Sequence, residues 1–276
     1  MNLRLIRHTW GTNGSWAELF SAFQRAGYHG IETSIPAAGE QGEFQELRDQ
    51  YGFDLVLQIH TSGRGVDEHL ASFRHQLDAA LPLHPRVINS HSGLDAWSDA
   101  ESEKFFAGAL AAEQAAGLPI CHETHRGRVF YNPWVCRRMM DRFSNLKLCC
   151  DFSHWVCVCE RLFDEDLEQI AAQCAPRCLH LHARVGHEQG PQVSDPAAAE
   201  FAPQLAAHER WWKMIWDAQH ARGDAVTTLT PEFGPPPYAP TLPGTNTPLR
   251  DVAEVCDWVA NRQAARFASL GYGTAR

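Results

Sequence analysis

Short apolar segments alternate with longer amphipathic segments along the whole chain of 276 residues. The short segments have the length and composition of buried strands, whereas the longer ones repeat apolar residues at helical spacing. The pattern predicts eight strands, at Leu3–His8, Ile31–Ile35, Asp54–His60, Val87–His91, Leu118–Thr124, Leu146–Phe152, Cys178–Arg184 and Val226–Phe233.

Each predicted strand is followed by a predicted helix. Ser15 and Pro133 are start signals, and Gly117 is a stop signal. The helices are expected over residues 15–26, 43–51, 66–81, 99–116, 133–143, 163–174, from just after 203 to 222, and 248–270.

Strict alternation without a linker predicts one α/β domain over residues 1–276, folded as a closed (β/α)8 barrel. An open doubly wound sheet is the alternative. The first strand–helix turn lacks G-x-G-x-x-G, and no phosphate-loop pattern occurs, so the barrel is preferred.

Charge and composition argue against several classes of binding partner and of cellular environment. The net charge is −9, and no basic run exceeds Arg137–Arg138, which argues against nucleic acid. No apolar run reaches the ~18–20 residues that cross a bilayer, and the N-terminus does not resemble a signal peptide. The nine cysteines form no CxxC pair and are expected to be buried thiols in a reducing cytoplasm.

Acidic and histidine residues concentrate where the predicted strands end. The C-terminal ends of barrel strands meet at one mouth, where active sites lie. A buried carboxylate without a partner is costly, so several at one point predict a bound cation. The residues at the ends of the third to eighth strands are His60, His91, Glu123, Asp151, His182 and Glu232.

Four of these residues make a compatible ligand set. Three carboxylates and one imidazole suit a single divalent ion, namely Mn2+, Mg2+, Co2+ or Zn2+. The predicted metal ligands are Glu123, Asp151, His182 and Glu232.

Alternation along the seventh strand places His180, His182 and Arg184 on one face. If His182 points into the barrel, His180 lies one layer below it and Arg184 at the rim. Arg184 and His154 are predicted to contact substrate and to offset the negative charge of the ligands.

Other aromatic and histidine residues are weaker candidates for substrate contact. Taken singly, His60 and His91 are more typical of structural histidines. His125 is expected to reach the rim, and Trp10 either stacks on a sugar face or packs under a loop. His122 is expected to point outward, toward the helices.

Two hydrolase motifs are absent from the sequence. His122–Glu123–Thr124–His125 is one residue too short for the zinc-protease H-E-x-x-H. No G-x-S-x-G elbow occurs, so a serine hydrolase is not supported.

With these residues in place, the chain resembles the xylose-isomerase-like TIM-barrel superfamily over essentially its whole length, in the sugar phosphate isomerase/epimerase branch. The motifs that carry the resemblance are Glu123, Asp151-x-x-His154, His180-x-His182 and Glu232. The resemblance implies that the Glu, Asp, His and Glu hold one divalent ion. It also implies that the two glutamates exchange a proton across the substrate carbon and that His154 contacts substrate.

The chain departs from its relatives after the seventh strand. Ketose epimerases of this branch carry a Glu and an Arg a few residues past the histidine, whereas Arg184 comes earlier here. The chain is also distantly similar to endonuclease IV, with His60 and His91 as possible extra ligands. That family has an Asp-x-His after the seventh strand, but here Asp195 is followed by Pro196–Ala197.

These observations predict a cytoplasmic, metal-dependent enzyme of carbohydrate metabolism that isomerises or epimerises a small polyhydroxy carbonyl compound through Glu123 and Glu232. The alternative is a metal-dependent lyase, or dehydratase, acting on an inosose-like polyol. An endonuclease IV-like phosphodiesterase and a non-catalytic binding protein are less favoured. Exposed helix faces of a barrel also allow a homo-oligomer.

Overall fold

Eight parallel strands close into a barrel in a computed structural model that describes residues 1–272. Each strand pairs with the next along the chain, and the eighth pairs with the first. The fold is therefore the predicted (β/α)8 barrel; the last four residues of the predicted domain, 273–276, lie outside the described part. The strands are Asn2–His8 (β1), Gly30–Ser34 (β2), Asp54–His60 (β3), Val87–His91 (β4), Ile120–Glu123 (β5), Leu148–Cys150 (β6), Cys178–His182 (β7) and Val226–Thr230 (β8).

Helices cover the outside of the barrel. Ser98 caps α4 and Asn132 caps α5, where Pro133 takes the first helical position, and Gly117 ends α4 in the left-handed conformation at φ 67°. The helices are Trp16–Arg25 (α1), Gln41–Tyr51 (α2), Val66–Ala80 (α3), Asp99–Ala116 (α4), Pro133–Arg142 (α5), Phe152–Cys159 (α6), Glu165–Cys174 (α7), Ala202–Arg222 (α8) and Val252–Ser269 (α9).

The predicted strands five to eight are too long at their C-terminal ends. β6 ends at Cys150, because the Asp151 side chain accepts from the Ser153 N–H and starts α6, a helix that the sequence analysis did not predict. β8 ends at Thr230, before Pro231 and the proline-rich segment that cannot continue a ladder.

The barrel interior changes character from bottom to top. An apolar cluster fills the bottom, and the layer above it is polar. A larger apolar core lies between the barrel and the helices. The bottom cluster consists of Ile6, Val56, Val87, Cys121 and Cys149.

All nine cysteines are free thiols, and seven of them are buried. Within residues 1–272, no helix combines the length and the apolar character that crossing a membrane requires. The cytoplasmic location stays a prediction.

A candidate metal centre at the barrel mouth

The four predicted metal ligands meet at the mouth of the barrel. Glu123 ends β5, Asp151 follows β6, His182 ends β7, and Glu232 lies two residues after β8. Each offers one donor atom, and these atoms all lie within 4.8 Å of one another. All four side chains are buried. The folded chain thus assembles the donor set that the sequence predicted.

Unpartnered donor atoms within this group fit a divalent cation. Nδ1 of His182 lies 3.0 Å from Oε2 of Glu232 and 3.7 Å from Oε2 of Glu123, yet it makes no hydrogen bond. Oε1 of Glu123 also has no hydrogen-bond partner among the described residues. Buried polar atoms are rarely left unpaired. An imidazole nitrogen and three carboxylates facing one point suit an oxygen-preferring divalent ion.

Glu32 on β2 holds the imidazole of His182 in position. Its Oε1 lies 2.9 Å from Nε2 of His182, and its Oε2 accepts from Oγ1 of Thr230 and lies 3.2 Å from Nε2 of His180. When Nε2 carries the proton and donates a hydrogen bond to Glu32, the lone pair of Nδ1 faces the other predicted ligands. Carboxylate–histidine pairs of this kind orient metal-binding imidazoles.

Two amides orient the glutamates. Nδ2 of Asn89 on β4 donates to Oε2 of Glu123 at 2.6 Å. Nε2 of Gln58 on β3 donates to Oε1 of Glu232 and to Oε1 of Glu32, both at 3.1 Å. Glu32, Asn89 and Gln58 were not among the site residues predicted from the sequence. The available signal was a polar side chain within a predicted strand.

Arg184 lies on the same face of the chain as His180 and His182, as predicted, but it is buried, with 1% of its surface exposed. Its Nη2 donates to Oδ2 of Asp151 at 2.5 Å and lies 3.4 Å from Oε2 of Glu232. The guanidinium therefore offsets the charge of two predicted ligands directly, as well as lining the cavity.

His154 is fully buried against Arg184, whose Nη2 lies 2.6 Å from Nε2 of His154. Its ring also packs against His125, at 4.1 Å between centroids. His154 is not among the residues that line the cavity. Substrate contact by His154 stays a prediction, and the observed contacts connect it to the site through Arg184.

The ionisation of the ligands follows from burial and from their neighbours. Burial opposes the charge on Glu123, but His91 and His182 outweigh it and hold the pKa of Glu123 well below its usual value. Burial raises the pKa of Asp151 to about 6 despite Arg184. Burial opposes the charge on His182, but Glu232, Glu32 and Glu123 raise its pKa well above the usual value.

A cavity of about 370 Å³ opens at the mouth of the barrel, and Glu232, one of the four predicted ligands, lines it. This volume falls within the ~300–1,000 Å³ typical of small-molecule sites. Five predicted substrate-contact residues line it together with Glu232, namely Trp10, His60, His91, His125 and Arg184.

Three of the lining histidines form a continuous wall. The ring centroids of His60 and His91 are 4.2 Å apart, and those of His91 and His125 are 4.7 Å apart. Burial lowers the pKa of His60 to about 4 and that of His125 to about 3. These two imidazoles are therefore neutral near pH 7 and can both donate and accept hydrogen bonds. His91 and His125 also lie with Glu123 in a second group of potential ligand atoms.

Trp10 also lines the cavity. Its ring meets Tyr238 edge-on at 4.9 Å, and 36% of its surface is exposed. Trp10 is thus packed against Tyr238 and still partly exposed. Its stacking on a sugar stays a prediction.

His122 points outward, as predicted. Its Nδ1 lies 2.6 Å from Oγ of Ser92, and its Nε2 lies 2.8 Å from Oε1 of Glu113 on α4. Asp195, the remaining candidate for a nuclease-type ligand, lies 3.4 Å from Arg250.

Three solved structures illustrate the likeness of the fold. A Bacillus anthracis protein described as a 3-DHS dehydratase of petrobactin synthesis has a TM-score of 0.65 at 12% identity, covering 95% of this chain and 98% of its own. Endonuclease IV from Thermus thermophilus has a TM-score of 0.59 at 16% identity, over 96% and 99%. The 3-keto-D-glucoside 4-epimerase of E. coli has a TM-score of 0.63 at 11% identity, over 96% and 100%.

At these identities the structural matches show the fold alone. A comparison with curated protein sequences finds no significant match. The model of the xylose isomerase-like TIM barrel family matches residues 20–202, which is more than half of the chain. The resemblance noted in the sequence is confirmed at this level: the chain belongs to the xylose isomerase-like TIM barrel family.

Proposed function

We propose that this chain is a divalent-metal-dependent isomerase or epimerase of a sugar or a related polyhydroxy carbonyl compound. The observation that carries the proposal is the convergence of four donor atoms within 4.8 Å of one another, in a group whose member Glu232 lines a cavity of small-molecule size. Nδ1 of His182 and Oε1 of Glu123 make no hydrogen bond within the described structure, which supports a cation rather than a closed hydrogen-bond network.

The ion would be held by Glu123, Asp151, His182 and Glu232, with Glu32 orienting the imidazole. When bound, a Mn2+, Mg2+, Co2+ or Zn2+ ion supplies a Lewis acid that polarises a substrate carbonyl and acidifies the adjacent C–H.

Glu123 and Glu232 are the proposed proton carriers. Glu232 lines the cavity, and both carboxyl groups approach Nδ1 of His182. In an epimerisation one carboxylate takes the α proton, and the other, which enters the cycle protonated, returns a proton to the opposite face. The pair then holds as many protons after turnover as before. Positioned carboxyl groups accelerate such transfers by ~10²–10⁴-fold.

The remaining residues bind the substrate oxygens. Arg184 is fixed by Asp151 and presents its guanidinium to the cavity. The neutral imidazoles of His60 and His125 are suited to hydroxyl groups, which need both donors and acceptors. His154 would act through Arg184, whose guanidinium it contacts.

Proton exchange with solvent tests the acid–base assignment. Incubation of the metal-loaded protein with ketoses in D2O should place deuterium at the α carbon of a substrate. Glu232→Gln should lower the exchange rate by ~10²–10⁴-fold, and Glu123→Gln should do the same. Metal content measured in each variant separates loss of a proton carrier from loss of the ion. Exchange that survives both substitutions would rule out this pair.

The same assay separates the other reaction classes. A dehydratase begins with the same α-proton removal but then expels a β-hydroxyl, so an ultraviolet-absorbing enone would identify a lyase. Three bound ions together with cleavage of abasic DNA would identify a phosphodiesterase. One ion per chain with α-proton exchange supports the isomerase or epimerase.

A further inference from the structure

Arg128 is a cation without an acidic partner at the wall of the cavity. It is partly buried and lines the cavity close to His60 and His91. Among residues 1–272, no carboxylate lies within the 4.0 Å of an ion pair with its guanidinium. Arg184, the other arginine in the lining, pairs with Asp151 instead.

The guanidinium of Arg128 is held at a defined place. Its Nη1 donates to the backbone oxygen of Thr61 at 2.9 Å and lies 3.3 Å from that of Gly93. These carbonyls follow β3 and β4, so the fold fixes the head group at that part of the rim. Burial lowers the pKa of Arg128 below its usual value, although the group stays charged. An anchored, partly desolvated guanidinium is well suited to bind an anionic group from the cavity.

We infer that the substrate carries a carboxylate that pairs with Arg128 at the β3–β4 side of the rim. The inference rests on the proposed function and narrows its substrate to a sugar acid with a carbonyl group, such as a ketouronate. Arg128 would then fix one end of the substrate, so that the acid group sets its orientation.

A carboxylate fits better than a phosphate. The planar fork of one arginine matches the two oxygens of a carboxylate, whereas phosphate sites usually combine several donors or a backbone nest. Arg128 is the one cavity-lining arginine in the described chain without an acidic partner. The histidines beside it, His60 and His125, are neutral near pH 7.

Calorimetric titration with matched ligands tests this subsite. The probes are D-tagaturonate and D-tagatose, which differ in an acid group, with D-fructose 6-phosphate as the phosphate probe. Metal-loaded protein should bind the uronate at least tenfold more tightly than the neutral ketose. Arg128→Met should weaken uronate binding by about 10- to 100-fold and leave tagatose binding unchanged. Arg128→Lys, which keeps the charge but loses the fork, should lie between the two.

Arg126→Met is the matched control. Arg126 lies two residues away in the same loop, packs over the ring of Tyr238 and does not line the cavity. Its substitution should leave uronate binding unchanged. Because each variant is measured with both ligands, a general loss of folding would lower both affinities and so be recognised.

Equal affinity for the uronate and the neutral ketose would overturn the inference, as would a parallel loss of both in Arg128→Met. Preference for the sugar phosphate would also overturn it. Deuterium exchange with neutral ketoses alone would leave the proposed function standing while removing the carboxylate subsite. Uronate binding that depends on Arg128, without deuterium exchange and without a bound ion, would support the carboxylate subsite and overturn the proposed function.

Discussion

Two histidine–carboxylate pairs lie on opposite sides of the barrel wall, and both imidazoles are fully buried. Inside, His182 meets Glu32 through Nε2, and its Nδ1 faces three other carboxyl groups without a hydrogen bond. Outside, His122 meets Glu113 through Nε2, and its Nδ1 is within hydrogen-bond distance of Ser92 at 2.6 Å. The outer imidazole is satisfied at both nitrogens, whereas the inner one is satisfied at only one.

The difference separates a structural histidine from a candidate ligand. The residue types are the same and both imidazoles are fully buried, so neither the identity nor the burial of the histidine decides its role. The role is decided by whether Nδ1 is paired. A buried donor or acceptor left unpaired costs ~1–3 kcal/mol unless something binds it. Of the two, His182 is therefore the candidate metal ligand, and His122 is part of the packing between the barrel and α4.

The largest expected effect comes from pH and concerns the candidate ligands inside the barrel, not the outer pair. Because its pKa is raised, His182 must lose a proton to bind the ion near neutral pH, and Asp151, with a pKa of about 6, must lose a second one below that pH. Affinity should therefore fall as pH falls, by on the order of 10³-fold between pH 7 and pH 5.

Metal titrations across this pH range check the expectation. The logarithm of the affinity should change by one per pH unit above pH 6 and approach two per unit below it. A flat profile would contradict the assignment of these two residues as ligands.

The second-largest effect on metal affinity is expected when the carboxylate that supports a histidine is replaced by an amide. Glu32→Gln removes the charge that stabilises the Nε2 proton of His182, so metal affinity should fall by ~10–100-fold. Glu113→Gln makes the same chemical change beside His122 and should leave metal affinity unchanged. Equilibrium metal binding by both variants provides the measurement. Equal losses would show that the two pairs do not differ as described.

The smallest effect on the ion is expected from the outer pair itself. Ser92→Ala leaves Nδ1 of His122 without a partner inside the protein, so the free energy of unfolding should fall by about 1–3 kcal/mol. Metal affinity should not change. Denaturant unfolding measures the first quantity, with exposed Ser62→Ala as a control that should stay within ~0.5 kcal/mol of the parent. A change in metal affinity would connect the outer pair to the site.

Much of the fold and of the ligand set follows from local pattern. The third and fourth strands have the predicted bounds, because Asp54–His60 and Val87–His91 each contain a short apolar stretch and lie between clear breaks. The ligands could be found because barrel topology brings all strand ends to one mouth, whatever the details of each strand.

The remaining features depend on contacts that a single strand does not show. Glu32 alternates with Ile31 and Thr33, a pattern that also fits a strand with one solvent-facing side, and only the closed barrel turns Glu32 toward His182. Arg184 was expected to contact substrate at the rim, and its pairing with Asp151 depends on the turn into α6.

The pairing of β1 with β8, which closes the barrel, lies beside Glu232, the last of the predicted ligands along the chain. β1 pairs with β8, Glu232 follows β8, and a Cβ at Gly234 would lie 2.0 Å from the ring of Trp10, which follows β1. Three of the four candidate donors come from the ends of β5 to β7, and the fourth follows β8, the strand that closes the barrel against β1. A chain folded only as far as β7 therefore lacks a complete donor set, and the candidate site depends on the closure of the barrel.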